Sequence, residues 1–412
     1  MASRKTLNAK NLEALGAVRL SELLIEITRG NGEAKRRLRL ELAGAQGPGD
    51  IAIEIRKRLV TIARSRSFIE WDKIKPLVRD LESHRCAIVD HVAKADPSEA
   101  LDLLWRFMAL ANSIFERSDD SNGVIIEIFH ECCCDLGEIA AASKSEPTGL
   151  ADRIFQALEE NDYGQYDGLI ETLAPALGKI GLKHLKQRFV TLSKEPLPKV
   201  KPEDRKVIGW GSGGALYADE IAERRRESMI SLALKSIADV SGDVDGYIAQ
   251  QSDKARTVPA VAAGIARRLL EANRAEEAWS AINRVKEDRR AWIPYEWENV
   301  KIEVLVALGR DKEAQEFRWA CFEKSLNKDH LRSYLRHLPD FDDMEAEARA
   351  MVFALRYSSV LMALDFLISW PALEEATELV LTRAGELDGN RYEILTLAAA
   401  ALEHIHPLAT TV

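Results

Sequence analysis

The chain has 412 residues, of which 46% are hydrophobic and 30% charged, with a net charge of −9; that length allows two or more packed units, and that much apolar sequence excludes general disorder. No apolar run approaches the roughly 18 residues of a spanning helix, and Met1–Lys10 followed by Glu13, Gly16 and Arg19 lacks a signal-peptide core, so a cytoplasmic protein without a membrane span is expected. Five cysteines, with Cys132, Cys133 and Cys134 consecutive, do not make a disulfide framework.

Good helix formers dominate, and the elements read in chain order are helices. The expected fold class is all-α, an α-solenoid of stacked antiparallel helix pairs. Leu20, Leu23, Leu24 and Ile27 form a first apolar stripe, stopped at Gly30, Asn31 and Gly32. A second helix spans Lys35–Leu42 with Leu38 and Leu42 facing inward, closed by Gly44 to Gly49. Asp50 is expected to cap a third, carrying Ile51, Ile55, Leu59 and Ile62. Asp96, Pro97 and Glu99 read as a capping box ahead of the stripe Leu101, Leu104, Trp105, Met108 and Phe115. Asp119 to Gly123 ends it, and Ile125, Ile128, Phe129, Cys132 and Leu136 form the next face. Helices are expected over Ala151–Glu160, Tyr166–Ile180 and Ala215–Val240. Between them Pro196, Pro198, Pro202, Gly209, Gly211, Gly213 and Gly214 mark a break. The division expected is an N-terminal helical domain over 1–193, a Pro/Gly-rich junction over 194–214, and a C-terminal helical domain over 215–412.

An internal repeat stands in the C-terminal part. Residues 269–278 match residues 305–314 at an offset of 36, with Asn273 and Gly309 at the left-handed position and Ala278 and Ala314 allowing close helix approach. A looser copy spans 367–376, with Pro371 in its turn. Over roughly 258–400 these residues resemble tetratricopeptide repeats: Gly309 and Ala314 fit that pattern, and Cys321 stands where its second small residue falls. Ile302 and Val285 depart from it, and its first-helix tryptophan is out of register. The resemblance implies a groove for a peptide or partner protein, lined from the first helices by Arg267, Asn299 and Glu303.

The stretches 68–72, 100–107 and 115–123 resemble the helical region that accompanies SWIM-type zinc fingers in some bacterial proteins. The Cys-x-Cys and Cys-x-His pairs of that finger are absent, so no metal or DNA binding carries over. The whole chain resembles an uncharacterised bacterial family of helical proteins, which implies no particular activity.

Candidate chemistry is sparse. Gly209, Gly211 and Gly214 spell G-x-G-x-x-G, but Val207-Ile208 is too short a strand for a dinucleotide site, and a flexible linker is expected. Consecutive thiols on a helix point about 100° apart, so Cys132, Cys133 and Cys134 beside His130 cannot converge on one ion, and the first two belong to the core stripe. His84 and His91 share a face without a third ligand. Ser212 lacks the first glycine of a nucleophile elbow because Trp210 holds that place. Trp279, Trp292, Trp297, Trp319 and Trp370 are expected in packing. Neither catalytic residues nor a cofactor nor a metal is expected.

Residues 1–70 hold 14 lysines and arginines against 8 carboxylates, so Arg36, Arg37 and Arg39 form a patch for an anionic partner, or simply a solvated helix side. The function expected is a non-catalytic protein–protein interaction scaffold. The alternative is a nucleic-acid-associated protein using the basic N-terminal helices, and an enzyme with an unrecognised site is third.

Overall fold

A computed structural model describes residues 7–197, 200–211, 213–285 and 294–411; Pro198, Ser212 and Trp292 lie outside the described residues. The protein is an all-α helical-repeat fold, and among the described residues the only strands are one short hairpin. No helix is long and apolar enough to cross a membrane among these residues.

The chain divides into two compact units, Met1–Gln250 and Gln251–Val412. That division lies beyond the 194–214 segment where composition placed it. The Ala218–Val240 helix, expected to open the second domain, buries Ile230, Ala233 and Ile237 in the same core as Leu173, Leu185 and Phe189. Nor is the segment an open linker. Val207–Gly211 and Gly214–Tyr217 pair as an antiparallel hairpin with Gly211 opposite Gly214, and the helix begins only at Ala218.

In the first unit, no residue of the Gly16–Ile27 helix is buried, and Leu24 and Ile27 of its apolar stripe stay exposed among the described residues. The next helix runs Gly32–Gln46, through Gly44, and stops at Gly47, whose φ of +152° only glycine adopts readily. Leu40 and Ala43 face its core, while Leu42 points outward at 65% exposure, opposite to expectation. Pro48 takes the first position of the Pro48–Arg64 helix, so Asp50 sits inside the first turn rather than capping it. Ile51, Ile55, Leu59 and Ile62 are buried.

Asp96 caps Pro97–Met108, accepting from the Ser98 and Glu99 amides at 3.0 Å each. The reciprocal half of the capping box does not form, because Glu99 takes the Arg56 guanidinium instead. Leu101, Leu104, Trp105 and Met108 are buried, as are Ile125, Ile128, Phe129, Cys132 and Leu136 of Val124–Ser143. The second of these helices is capped from a distance: Asp120 accepts from the Ile125 amide at 2.8 Å and the Ile126 amide at 2.9 Å. Pro147–Glu159 and Leu169–Lys194 follow, the latter bending at Gly178 three residues after Pro175.

The second unit is a run of helix pairs. Pro259–Glu271 pairs with Ala275–Ile282, Tyr295–Ala307 with Asp311–Ser325, and Val360–Ser369 with Leu373–Thr382. The first helices of the first two pairs also pack on each other, which is how each pair covers an apolar side it cannot hide alone. All three repeat copies close with the same long-reach bond, from the Arg274 amide to the Leu269 carbonyl (2.8 Å), Arg310 to Leu305 (2.9 Å) and Ala372 to Leu367 (2.8 Å). The inner bond runs from Asn273 to Leu270 and from Gly309 to Val306 at 2.9 Å. Pro371, with no N–H, cannot supply it in the third copy. In the first two copies an arginine–glutamate fork follows the turn, Arg274 with Glu277 and Arg310 with Glu313.

Asn273 and Gly309 both hold positive φ, +59° and +69°. Nothing lies within 4 Å of where a Gly309 Cβ would stand, so only the backbone opposes a side chain there. Gly309→Ala is therefore expected to cost about 1 kcal/mol of stability, and Gly309→Asn less, since asparagine tolerates this region. Urea unfolding of the two variants checks the order; alanine ranking at or above asparagine would contradict the turn geometry.

Candidate functional site

The residues expected to line a partner groove lie on neighbouring first helices. Glu296, Asn299 and Glu303 follow one another along one side of Tyr295–Ala307, and Arg267 reaches across from Pro259–Glu271 to Glu296 at 2.6 Å. Arg267 is thus already paired. Asn299 is half-buried and Glu303 exposed. Among the described residues, the tryptophans of this unit do not equip the surface for stacking. Trp297 is buried edge-on to Phe317, while Trp279, Trp319 and Trp370 are half-buried with Arg310, Arg349 and Arg332 laid over their faces.

Behind them lies a group that sequence reading missed. Glu298, Cys321 and His330, from three successive helices, are all buried and bring donor atoms within 4.8 Å of one another. Their chemistry suits zinc. Yet Glu298 already accepts from His330 Nε2 at 3.0 Å and faces the Lys324 ammonium at 3.5 Å. A divalent ion would have to displace that ammonium and would find three protein donors among the described residues, one short of a closed structural site. The arrangement fits a satisfied buried pair better than a metal centre. No local signal marks it, because the three positions sit far apart in the sequence on three separate helices.

The other sequence candidates separate. Cys132 and Cys133 are buried and Cys134 exposed. Burial pushes the Cys132 thiol well above its usual range and that of Cys133 up to about 12, so both stay protonated and unreactive at neutral pH. The exposed His130 bonds through Nε2 to the Gly164 carbonyl at 3.0 Å. His84 is buried and His91 exposed. The glycines at 209, 211 and 214 are spent in the hairpin, and the strand Gly214–Tyr217 intervenes before the helix, so no loop of amides meets a helix N-terminus there.

Two clefts in the first unit carry more. One, of about 820 Å³, runs between the 158–171 stretch and the Ala218–Val240 helix. Its apolar lining includes Leu158, Ile170, Met229 and Leu232, the last 55% exposed. Of its six charged lining residues, four are acidic. Asp162 takes Arg225, and the Arg226 guanidinium is spent on the Leu192 and Glu195 carbonyls. Glu159, Asp167 and Glu171 are exposed and meet no cation among the described residues. The other cleft is basic and takes Arg36 and Arg39 of the expected patch, together with Lys35, Lys57 and Arg58. Arg37 is not part of it; it lines a neighbouring depression with Glu41, Glu82 and Asp90.

Over residues 2–412 the sequence matches a family described as a family of unknown function (DUF6880). No curated protein matches it.

Proposed function

We propose that this chain, which belongs to the DUF6880 family, is a cytoplasmic scaffold that acts by holding a segment of a partner protein. The helix pairs of residues 258–400, with a shared turn hydrogen bond in three copies and a 36-residue offset between the first two, support reading that part as tetratricopeptide-like. The observation that carries the binding role is the cleft of about 820 Å³ in the first unit, which sets the exposed Leu232 and the half-buried Leu158 and Met229 beside three exposed carboxylates that meet no cation among the described residues. That combination suits a peptide bearing leucine-like residues next to lysine or arginine. The Arg267, Asn299 and Glu303 side is the weaker surface, since Arg267 is neutralised by Glu296 before any partner arrives.

Panning a random-peptide display library on the full-length protein tests this. Enriched peptides should combine basic and large apolar residues, and Glu171→Lys or Leu232→Asp should each weaken them by about tenfold, equivalent to about 1.4 kcal/mol. Both positions are exposed, so the variants should fold. Peptides indifferent to both changes, or no enrichment at all, would remove the proposal.

A further inference from the structure

The basic cleft of the first unit is built differently from a solvated helix face. Three helices form its walls: Gly32–Gln46 supplies Lys35, Arg36 and Arg39, Pro48–Arg64 supplies Lys57 and Arg58, and Trp71–Ala87 supplies His84. At its base stands Asp80, 4% exposed. This one carboxylate holds two guanidiniums from different helices: Arg36 Nε at 3.2 Å and Arg58 at 2.7 Å through Nε and 2.5 Å through Nη2. One negative charge thus fixes two positive ones, leaves a net cation, and locks both arginines before any ligand arrives. His84 is pinned beside them, its Nδ1 2.6 Å from the Asp80 carbonyl, and burial lowers its pKa, so at neutral pH it adds shape rather than charge. Lys57 is drawn off to Glu54 at 2.6 Å. Lys35 and Arg39, both exposed, meet no carboxylate among the described residues.

We infer that this cleft binds the phosphomonoester group of a small molecule, with Lys35 and Arg39 contacting the phosphate and Arg36 and Arg58 held behind it by Asp80. A doubly charged tetrahedral anion meets the excess cation there and accepts from several donors at once. The volume, about 410 Å³, is that of a small-ligand site. A nucleic acid would need a basic track continuing along the surface. Here the track breaks at once, because Arg37 sits among Glu41, Glu82 and Asp90 in the adjoining depression. The site is formed by other helices than the peptide cleft and stands whether or not that reading holds.

Isothermal titration of the full-length protein with inorganic phosphate and with adenosine monophosphate, at constant ionic strength, tests the inference. Both should bind saturably at one site, the nucleotide more tightly. Lys35→Ala combined with Arg39→Ala, at exposed positions that leave the thermal melt unchanged, should weaken both by at least about tenfold, whereas Arg37→Ala should change neither by more than about twofold. Equal losses from Arg37→Ala would reduce the cleft to diffuse surface charge and overturn the inference. So would binding that survives the double change, or no saturable binding of either probe. A parallel titration with a single-stranded oligonucleotide separates the remaining source: binding that falls steeply with salt and needs Arg37, without binding of the two small probes, would replace this site with a nucleic-acid surface.

Discussion

Phe129→Ala should destabilise the first unit by about 4 kcal/mol. The ring is fully buried, with the rings of Phe107 and Phe115 at 5.6 and 5.7 Å. It lies in the first third of Val124–Ser143, the helix that packs against both Pro97–Met108 and Leu169–Lys194. Truncation therefore removes the transfer free energy of a phenyl group and opens a void between three helices that cannot all move in to close it. Against a typical stability of about 5–15 kcal/mol, that is a large fraction. Val18→Ala, at 77% exposure on the Gly16–Ile27 helix, is the control and should lie within about 0.5 kcal/mol of the parent. Urea unfolding followed by circular dichroism reads both. A loss under about 1 kcal/mol for Phe129→Ala would mean the three helices do not share that core.

The helices themselves were legible in the sequence because burial imposes a period. Leu101, Leu104, Trp105 and Met108 recur at helical spacing and are all found inside, together with Ala100, Leu103 and Phe107, which the stripe did not name. The repeat was legible for a related reason: Asn273 and Gly309 sit where only a left-handed residue lets the chain reverse, and both hold positive φ. Periodicity fails where a stripe must choose its partner. Ile230, Ala233 and Ile237 declare an apolar face, but nothing in residues 215–240 says that it covers the core before it rather than the one after it. The Pro/Gly-rich stretch at 194–214 invited a domain boundary, and the packing of that face moves it to 250/251. Leu42 was misplaced in the same way, since a helix of alternating basic and apolar residues offers two competing inward faces.

Polar constellations were less legible still. Asp80 and His84 are four residues apart, while the arginines that Asp80 holds come from 44 and 22 positions earlier. Net charge over residues 1–70 drew attention to Arg36, Arg37 and Arg39, of which the structure places Arg36 and Arg39 in one cleft. It could not separate Arg37 from Arg36, because adjacent residues on a helix diverge by about 100° and only the neighbouring helices decide what each one meets. The Glu298–Cys321–His330 group had no sequence signature, being assembled from three helices that each use one polar position for it. Composition can locate charge; it cannot say which charges are pinned, and the pinned ones make a site selective.

A tight helix–helix approach at a glycine yields the second large effect, and here two opposing terms decide the sign. Gly137 lies on Val124–Ser143 where a Cβ would stand 2.5 Å from Thr172 Cγ2 and 2.7 Å from the Thr172 carbonyl oxygen of the Leu169–Lys194 helix. Thr172 can rotate its methyl aside; its carbonyl is fixed by its own helix. Any side chain at 137 therefore drives the two helices apart. Removing a mid-helix glycine gains about 0.5–1 kcal/mol, while overpacking a tight contact costs about 1–3 kcal/mol, and more for a branched side chain with no free rotamer. Gly137→Ala should thus lose about 1–2 kcal/mol and Gly137→Val about 3 kcal/mol. Adding Thr172→Ser to Gly137→Ala removes the methyl clash but not the carbonyl one, so recovery should be partial, and full recovery would show that the methyl alone was in the way. Gly49→Ala, inside Pro48–Arg64 with nothing within 4 Å, isolates the propensity gain. It should raise stability by up to about 1 kcal/mol. If Gly137→Val unfolds at the same urea concentration as the parent, the two helices do not approach as closely as this glycine requires.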